Sequence, residues 1–561
     1  MDTEIRKLLE GHLSAEKIPE FSLVDTSKNA LQHWVANLPM LNVGNTAKQI
    51  FTTLQELAVL DVSDALRYEL MEILLPAIES IIVSMSKHYR DKGYLGDQRV
   101  ERIVQISLYM RAYSAMIYHG IALRTFKSSQ EQRLGFLDFF KKKDMINLMA
   151  KASHRGLGRF YALLLKIRIL HLDDYVGMWL RIHELYTLVN QMGLVGYSFE
   201  DAQLHYSQKL SIEQMYLRLI FLSSCHTLKL RTAEIKKVGL LGELWLDLIQ
   251  ISTIPNDHAL IYVDCHSDSA PMYVKELHAH TTDCFYINVD PLIQHIEHLH
   301  DADAGLLHPD EGKLFSTVIK HHLLHVLQSP KERASERQPQ EGTLNLALGF
   351  IGSHYQLAGQ RPFTELMQTV SDFSVFDMAD SYSTLNLNYE MVMEEGSLGA
   401  MDEYFATHEG QMVNASDNGF CIRWTGIPPR TLRPGELISL QSNREPGWQV
   451  GVIRWVRSNL GINPEFGVEI LSEQSIACGG RILNKNGNAS DYLRTLLLPP
   501  SNNQCVSTLI TPSQVFKSGV SVFIRFGEGE LQVRLGRVSL ATQGFSQFEF
   551  VVEENKSTLL S

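Results

Sequence analysis

The chain has no CxxC pair: Cys225, Cys265, Cys284, Cys421, Cys478 and Cys505 are scattered without regular spacing, which reads as reduced thiols. Also missing are a GxxxxGK[ST] phosphate loop, a GxSxG elbow, a Rossmann glycine triplet and an HExxH pair, so the common enzyme classes have no foothold. Basic charge is in deficit: 51 Lys and Arg against 63 Asp and Glu leave a net charge of -12. A general affinity for nucleic-acid backbone needs clustered cations, so any polyanion site has to be local. Long apolar runs are absent too. The stretches 70–85 and 217–224 are short, and the first carries Glu72, Pro76 and Glu79, so neither spans a bilayer. The opening residues Met1, Asp2, Thr3, Glu4 and Ile5 lack the basic start and apolar centre of an export signal, so the expected location is the cytoplasm.

What remains is a globular composition, 45% hydrophobic and 20% charged, over 561 residues, a length that implies three or four domains. From about 46 to 250 the apolar period is helical. Leu66, Leu70, Ile73, Ala77, Ile81 and Met85 recur every three or four positions on one stripe, with a kink expected at Pro76. Thr46 to Gln49, Ser198 to Asp201 and Ser211 to Gln214 resemble capping boxes. The last opens a stripe of Ile212, Met215, Tyr216, Leu219 and Leu222, and Gly193, Gly196, Gly239 and Gly242 read as breaks. The expectation is an all-helical N-terminal domain over 1–250, with no repeat period.

Around 255 the punctuation changes. Pro255, Asn256 and Asp257 make a turn, the runs 259–263 and 284–289 read as strands, and helices are expected at about 291–303 and 309–328. That is a small α+β connector over 251–330. Beyond it, short β runs at 343–348, 420–424, 449–456 and 466–470 are separated by Gly, Pro and Asn, as in an antiparallel barrel over 331–475. A second set of runs predicts a smaller barrel over 476–555. The fold class is multidomain α + β. Within the first barrel, an insertion over about 353–410 stands out: between Pro362 and Gly410 there is no Lys or Arg, while Glu365, Asp372, Asp377, Asp380, Glu390, Glu394, Glu395, Asp402, Glu403 and Glu409 are all acidic. It reads as a solvated loop or helical excursion, as a docking surface for a basic partner, or as a negative screen beside an anion site.

One short constellation points to a family. Asn414, Ser416 and Gly419 form an [DN]xSxxG string that runs into the strand 420–424, followed by 432–440, by the strand carrying Arg454 and Trp455, and by Phe466-Gly-Val-Glu-Ile470. In that order they resemble the PilZ domain, the bacterial cyclic di-GMP receptor barrel, over roughly 331–475. The family's other half-site, RxxxR, is matched by Arg333 and Arg337 just before the first strand. The resemblance implies a ligand, cyclic di-GMP, bound by Arg333, Arg337, Asn414, Ser416 and Gly419, with no cofactor, no metal and no catalysis. The chemistry is consistent, because guanidiniums fork onto phosphates and onto the O6/N7 edge of guanine where Lys offers a point charge.

The insertion separates the two half-sites in sequence, and they meet only if it leaves from the first hairpin. The family implies an effector that turns binding into altered domain or partner contacts, with motility, pili, attachment or exopolysaccharide as outputs; the helical domain is the candidate protein-binding part. The competing reading is a ligand-free PilZ-like scaffold. Synthesis or breakdown of the dinucleotide is disfavoured because neither GGDEF nor EAL occurs. Asn488 and Ser490 suggest a degenerate copy of the motif in the second barrel, without the closing glycine. His321 and His325 stand one helical turn apart, a metal spacing, but His322 takes the place of a general-base Glu, and a solvated helix face is the plainer reading.

Overall fold

The computed structural model describes residues 2–11, 17–89, 95, 97–131, 139–255, 258–274, 284–299, 305–328, 338–367, 404–416, 418–442, 445–482, 490–500, 506–513, 515–527 and 529–553. It divides into two compact units: 1–332 with 457–462, and 333–456 with 463–561.

The first unit begins with the helices α1 (Asp2–Leu9), α2 (Lys28–Ala36), α3 (Val43–Val59), α4 (Asp64–Ser86), α5 (Gln98–Glu131), α6 (Phe139–Ile169) and α7 (Met178–Gln191). The stripe expected on α4 is buried at Leu70, Ala77, Ile81 and Met85, and Ser63 caps its start by accepting the Leu66 N–H. The helix runs on through Pro76 to Ser86. Thr46 is not a cap: α3 starts at Val43 under Asn42, and the Thr46 hydroxyl donates to Pro39 O instead.

Ser198 to Asp201 is not a helix start either. Residues 198–200 form strand β1 (Ser198–Glu200), paired with β2 (Lys209–Ser211) from Ser198↔Ser211 to Glu200↔Lys209. The connecting loop is pinned by Glu243, whose fully buried carboxylate accepts the backbone N–H groups of His205 (3.0 Å), Tyr206 (2.7 Å) and Ser207 (3.0 Å) and pairs with Arg218. The third capping box is present, Ser211 and Gln214 exchanging hydrogen bonds at the start of α8 (Ile212–Ser224). Gly239 and Gly242 do not break a helix; they lie inside α9 (Thr232–Leu244). A Cβ at Gly242 would stand 2.7 Å from Phe221 Cδ1 and one at Gly239 3.1 Å from Tyr161 Oη, so these glycines let neighbouring helices approach.

The connector region has the order β3 (Gln250–Ser252), β4 (Ala259–Asp264), β5 (Met272–Tyr273), β6 (Cys284–Asn288), α10 (Asp290–His298), α11 (Glu311–Leu314) and α12 (Thr317–Gln328). Its strands make a four-stranded sheet in the order β3-β6-β4-β5. The helix expected over 309–328 is therefore two pieces, restarted where Ser316 Oγ accepts the Ile319 N–H. Among the described residues no helix is long and apolar enough to cross a membrane.

The second unit is built on two closed six-stranded antiparallel barrels. The first uses β7 (Gln338–Leu348), β8 (His408–Ser416), β9 (Gly419–Trp424), β10 (Leu437–Ser442), β11 (Glu445–Asn459) and β12 (Ile462–Ser472). Alternation puts Leu344, Leu346, Ile422, Trp424, Ile438, Leu440, Ile453 and Phe466 inside it. The second uses β13 (Ile476–Ile482), β14 (Leu493–Leu498), β15 (Thr508–Pro512), β16 (Ser521–Phe526), β17 (Gly529–Ala541) and β18 (Phe545–Val552), around Cys478, Leu509, Val522, Ile524, Val533 and Phe548.

The insertion leaves from the first hairpin, between β7 and β8, which pair with each other. Its described part is helical, α13 (Gly349–Leu357) and α14 (Phe363–Met367), and 368–403 lie outside the described residues. Phe350 and Ala358 join Leu437, Val450 and Val452 of the first barrel and Ala477, Leu496, Leu498, Ile510 and Phe545 of the second in one apolar cluster, so α13 welds the barrels together. On α13, His354 Nε2 donates to Cys478 O (3.1 Å), and burial pulls its pKa down to about 4.

Candidate nucleotide-binding site

The polar turn expected at 414–419 joins β8 to β9, with Ser416 paired to Gly419 across a two-residue connection. Ser416 Oγ donates to Gly419 O at 3.3 Å, closing the turn, and Ile470 N–H donates to Asn418 O, fastening the turn to β12. Gly419 has a reason of its own. A Cβ there would lie 2.1 Å from Val468 O, because β9 and β12 pair at Gly419↔Glu469, so the sheet itself requires glycine at this point.

Asn414 sits next to a register shift in β8, between Met412 and Asn414, of the kind that re-aims a side chain. Among the described residues its Oδ1 is buried without a hydrogen-bond partner. A buried carbonyl oxygen left unmet costs on the order of 1–3 kcal/mol.

Arg333 and Arg337 lie outside the described residues. The strand that follows them does not: Gln338, next in the chain after Arg337, pairs with Ala415, and Pro339 pairs with Asn414. β7 thus starts beside the motif at the far end of β8, although some seventy residues of sequence intervene.

Three other arginines of this barrel are held by carboxylates. Arg423 pairs with Glu465 (2.7 Å), Arg433 with Glu436 (3.0 Å) and Arg454 with Glu469 (2.7 Å). Trp424 is buried in the core.

The match at Asn488 and Ser490 is not the counterpart of the first motif. Asn488 is outside the described residues, and Ser490 lies between β13 and β14, the first hairpin of its barrel, whereas Asn414 and Ser416 lead from the second strand to the third. Ser490 Oγ accepts the Ile482 N–H at 3.0 Å and serves the hairpin.

Of the histidines, His321 and His325 are exposed on α12, while His322 turns inward, donates from Nε2 to Cys225 O (2.7 Å) and is lowered by burial to about 4. His295 meets the buried Glu311 at 2.6 Å. Among the described residues no group of three His, Cys, Asp or Glu is arranged to hold a metal ion.

A six-stranded antiparallel barrel with an NxSxxG turn, entered by a strand that begins beside that turn, defines a PilZ barrel, and the chain belongs to the PilZ-domain family. Three family models match in succession: "Cyclic-di-GMP receptor FimW, N-terminal domain" over 29–257, its "middle PilZ domain" over 260–381 and 380–476, and the "FimW C-terminal beta-barrel domain" over 478–552. The middle match opens at 260 and so takes in the α+β segment before the barrel. The chain is 26% identical over 578 aligned residues to the cyclic-di-GMP receptor FimW of Pseudomonas aeruginosa, covering 96% of this chain and 92% of the relative. No solved structure matches the chain.

Proposed function

We propose that the protein is a cytoplasmic cyclic di-GMP receptor, a binding protein rather than a catalyst, whose ligand is held by Arg333, Arg337, Asn414, Ser416 and Gly419. The observation that carries this reading is the register of β7 on β8, with Gln338 opposite Ala415 and Pro339 opposite Asn414. It sets the strand following the two arginines against the motif strand despite the insertion. The guanidiniums would fork onto phosphates and guanine O6/N7, the unmet Asn414 Oδ1 would accept a base or guanidinium N–H, and the Ser416 hydroxyl would turn from Gly419 O to donate to a phosphate or ribose oxygen. At Gly419 the missing side chain leaves room for the Val468 carbonyl on one side and for a close approach of the ligand to the backbone on the other.

Its parts in this reading are a helical domain (1–250) that meets a protein partner, a connector (251–330), the PilZ barrel (331–475) and a second barrel (476–555). Ligation is transmitted as altered domain or partner contacts, which requires that the two arrangements bind the ligand with different affinity. Calorimetric titration of the full chain with cyclic di-GMP, with GTP and cyclic di-AMP as controls, is the test. Selective binding at micromolar or tighter, about -8 kcal/mol or better, is the expected result; no heat from a folded sample would leave the scaffold reading in its place.

A further inference from the structure

Cross-strand partners share a face of a sheet. Ser416 pairs with Gly419, and Gly419 pairs in turn with Glu469, so Ser416 and Glu469 flank Gly419 in one row across β8, β9 and β12, about 10 Å apart by two inter-strand spacings. The Glu469 side chain is exposed, and Arg454 Nε on β11 holds its Oε2 at 2.7 Å. A carboxylate in the row of a site for a dianionic ligand is electrostatically adverse unless it meets N–H donors of that ligand.

Resting on the receptor reading above, we propose that Glu469 reads the guanine base of the bound dinucleotide, with Arg454 as its positioning residue. The Watson–Crick edge of guanine presents two adjacent donors, N1–H and the N2 amino group, which a carboxylate accepts in parallel. Adenine presents an amino donor beside the N1 acceptor, which the same carboxylate repels. Glu469 therefore selects guanine from the side of the site opposite Asn414 and Ser416, and Arg454 neutralises its charge in the free protein and fixes its aim. As an exposed ion pair alone, Arg454–Glu469 contributes little to stability, so loss of specificity with an unchanged melting temperature separates the two roles.

The experiment compares cyclic di-GMP with cyclic di-IMP, which lacks only the N2 amino groups, on the full-length wild type, Glu469→Ala, Glu469→Gln and Arg454→Ala. Wild type prefers cyclic di-GMP at least tenfold. Glu469→Ala weakens both ligands, cyclic di-GMP about tenfold more than cyclic di-IMP, which keeps N1–H but has no N2 donor to lose, and so brings the ratio close to one; Glu469→Gln, which keeps one acceptor, and Arg454→Ala fall between. An undiminished ratio in Glu469→Ala while wild type binds cyclic di-GMP overturns the role of Glu469 and leaves the receptor reading standing. Absence of cyclic di-GMP binding by wild type overturns both.

Discussion

The two barrels of the second unit follow the same circuit of strands. Counted within each barrel, the order around the ring is first, second, third, sixth, fifth, fourth, and back to the first: β7-β8-β9-β12-β11-β10 and β13-β14-β15-β18-β17-β16. Their polar surfaces have opposite characters. At the motif end of the first barrel a buried Asn414 oxygen is unmet among the described residues, and β7, the strand that follows the two arginines in sequence, begins beside it. On the second barrel Arg481 and Arg525 are engaged internally. Arg481 and Arg525 lie 4.7 Å and 4.6 Å from the Tyr492 ring centre, both reach Glu530, to which the Tyr492 hydroxyl also donates, and Arg525 donates to Met367 O at the end of α14. A shared ring order does not fix where the polar side chains of a barrel are engaged.

The largest test of that contrast is a double substitution in each barrel. Charge-assisted hydrogen bonds are worth about 1.5–3 kcal/mol each, so Arg333→Ala with Arg337→Ala is expected to weaken cyclic di-GMP binding a hundredfold or more in calorimetry, with an unchanged thermal melt. Arg481→Ala with Arg525→Ala is expected to leave affinity as it was and to lower the melting temperature, because those side chains pack on Tyr492 and Phe523. The reverse pattern would move the site to the second barrel.

A glycine in each barrel gives the next effect in size. A Cβ at Gly419 meets the Val468 carbonyl at 2.1 Å, which is backbone, whereas one at Gly479 meets Met367 Sδ at 2.2 Å, the far end of a flexible side chain. Gly419→Ala therefore forces β9 from β12 and costs about 2–3 kcal/mol, read as a fall of several degrees in melting temperature. Gly479→Ala needs only a rotation of Met367 and costs under about 1 kcal/mol. Equal melting temperatures would show that β12 yields as easily as a methionine.

These contrasts mark where sequence reasoning ends. The helical stripe of α4, the Ser211 box and the strands 420–424 and 466–470 were legible because their causes are local: period, cap and alternation. The β1 hairpin was not, because the groups that shape it come from Glu243, some forty residues on, and from pairing with β2. Nor was the role of Gly239 and Gly242, whose neighbours Tyr161 and Phe221 belong to other helices. At the candidate site, the string 414–419 singled out Asn414, Ser416 and Gly419, whereas Glu469, proposed above, carries no motif and is drawn in only by its register with Gly419. The Asn488–Ser490 likeness failed for the same reason: a string does not say which hairpin it occupies, and the ring order does.

The smallest expected effect sharpens that last point. Asn414→Ala removes an acceptor that nothing in the described residues uses, so the free protein loses no hydrogen bond at Oδ1 and its melting temperature holds or rises slightly. The bound state loses the partner of one donor, about 1.4 kcal/mol for a tenfold weaker cyclic di-GMP titration. Ser490→Ala in the second barrel has the opposite signature: it deletes the hydroxyl that accepts the Ile482 N–H, so the melting temperature falls slightly and affinity is unchanged. A polar group kept for a ligand costs the free fold something, and one kept for the fold costs the ligand nothing. An Asn414→Ala variant that melted earlier with full affinity would place Asn414 with Ser490 as a turn residue.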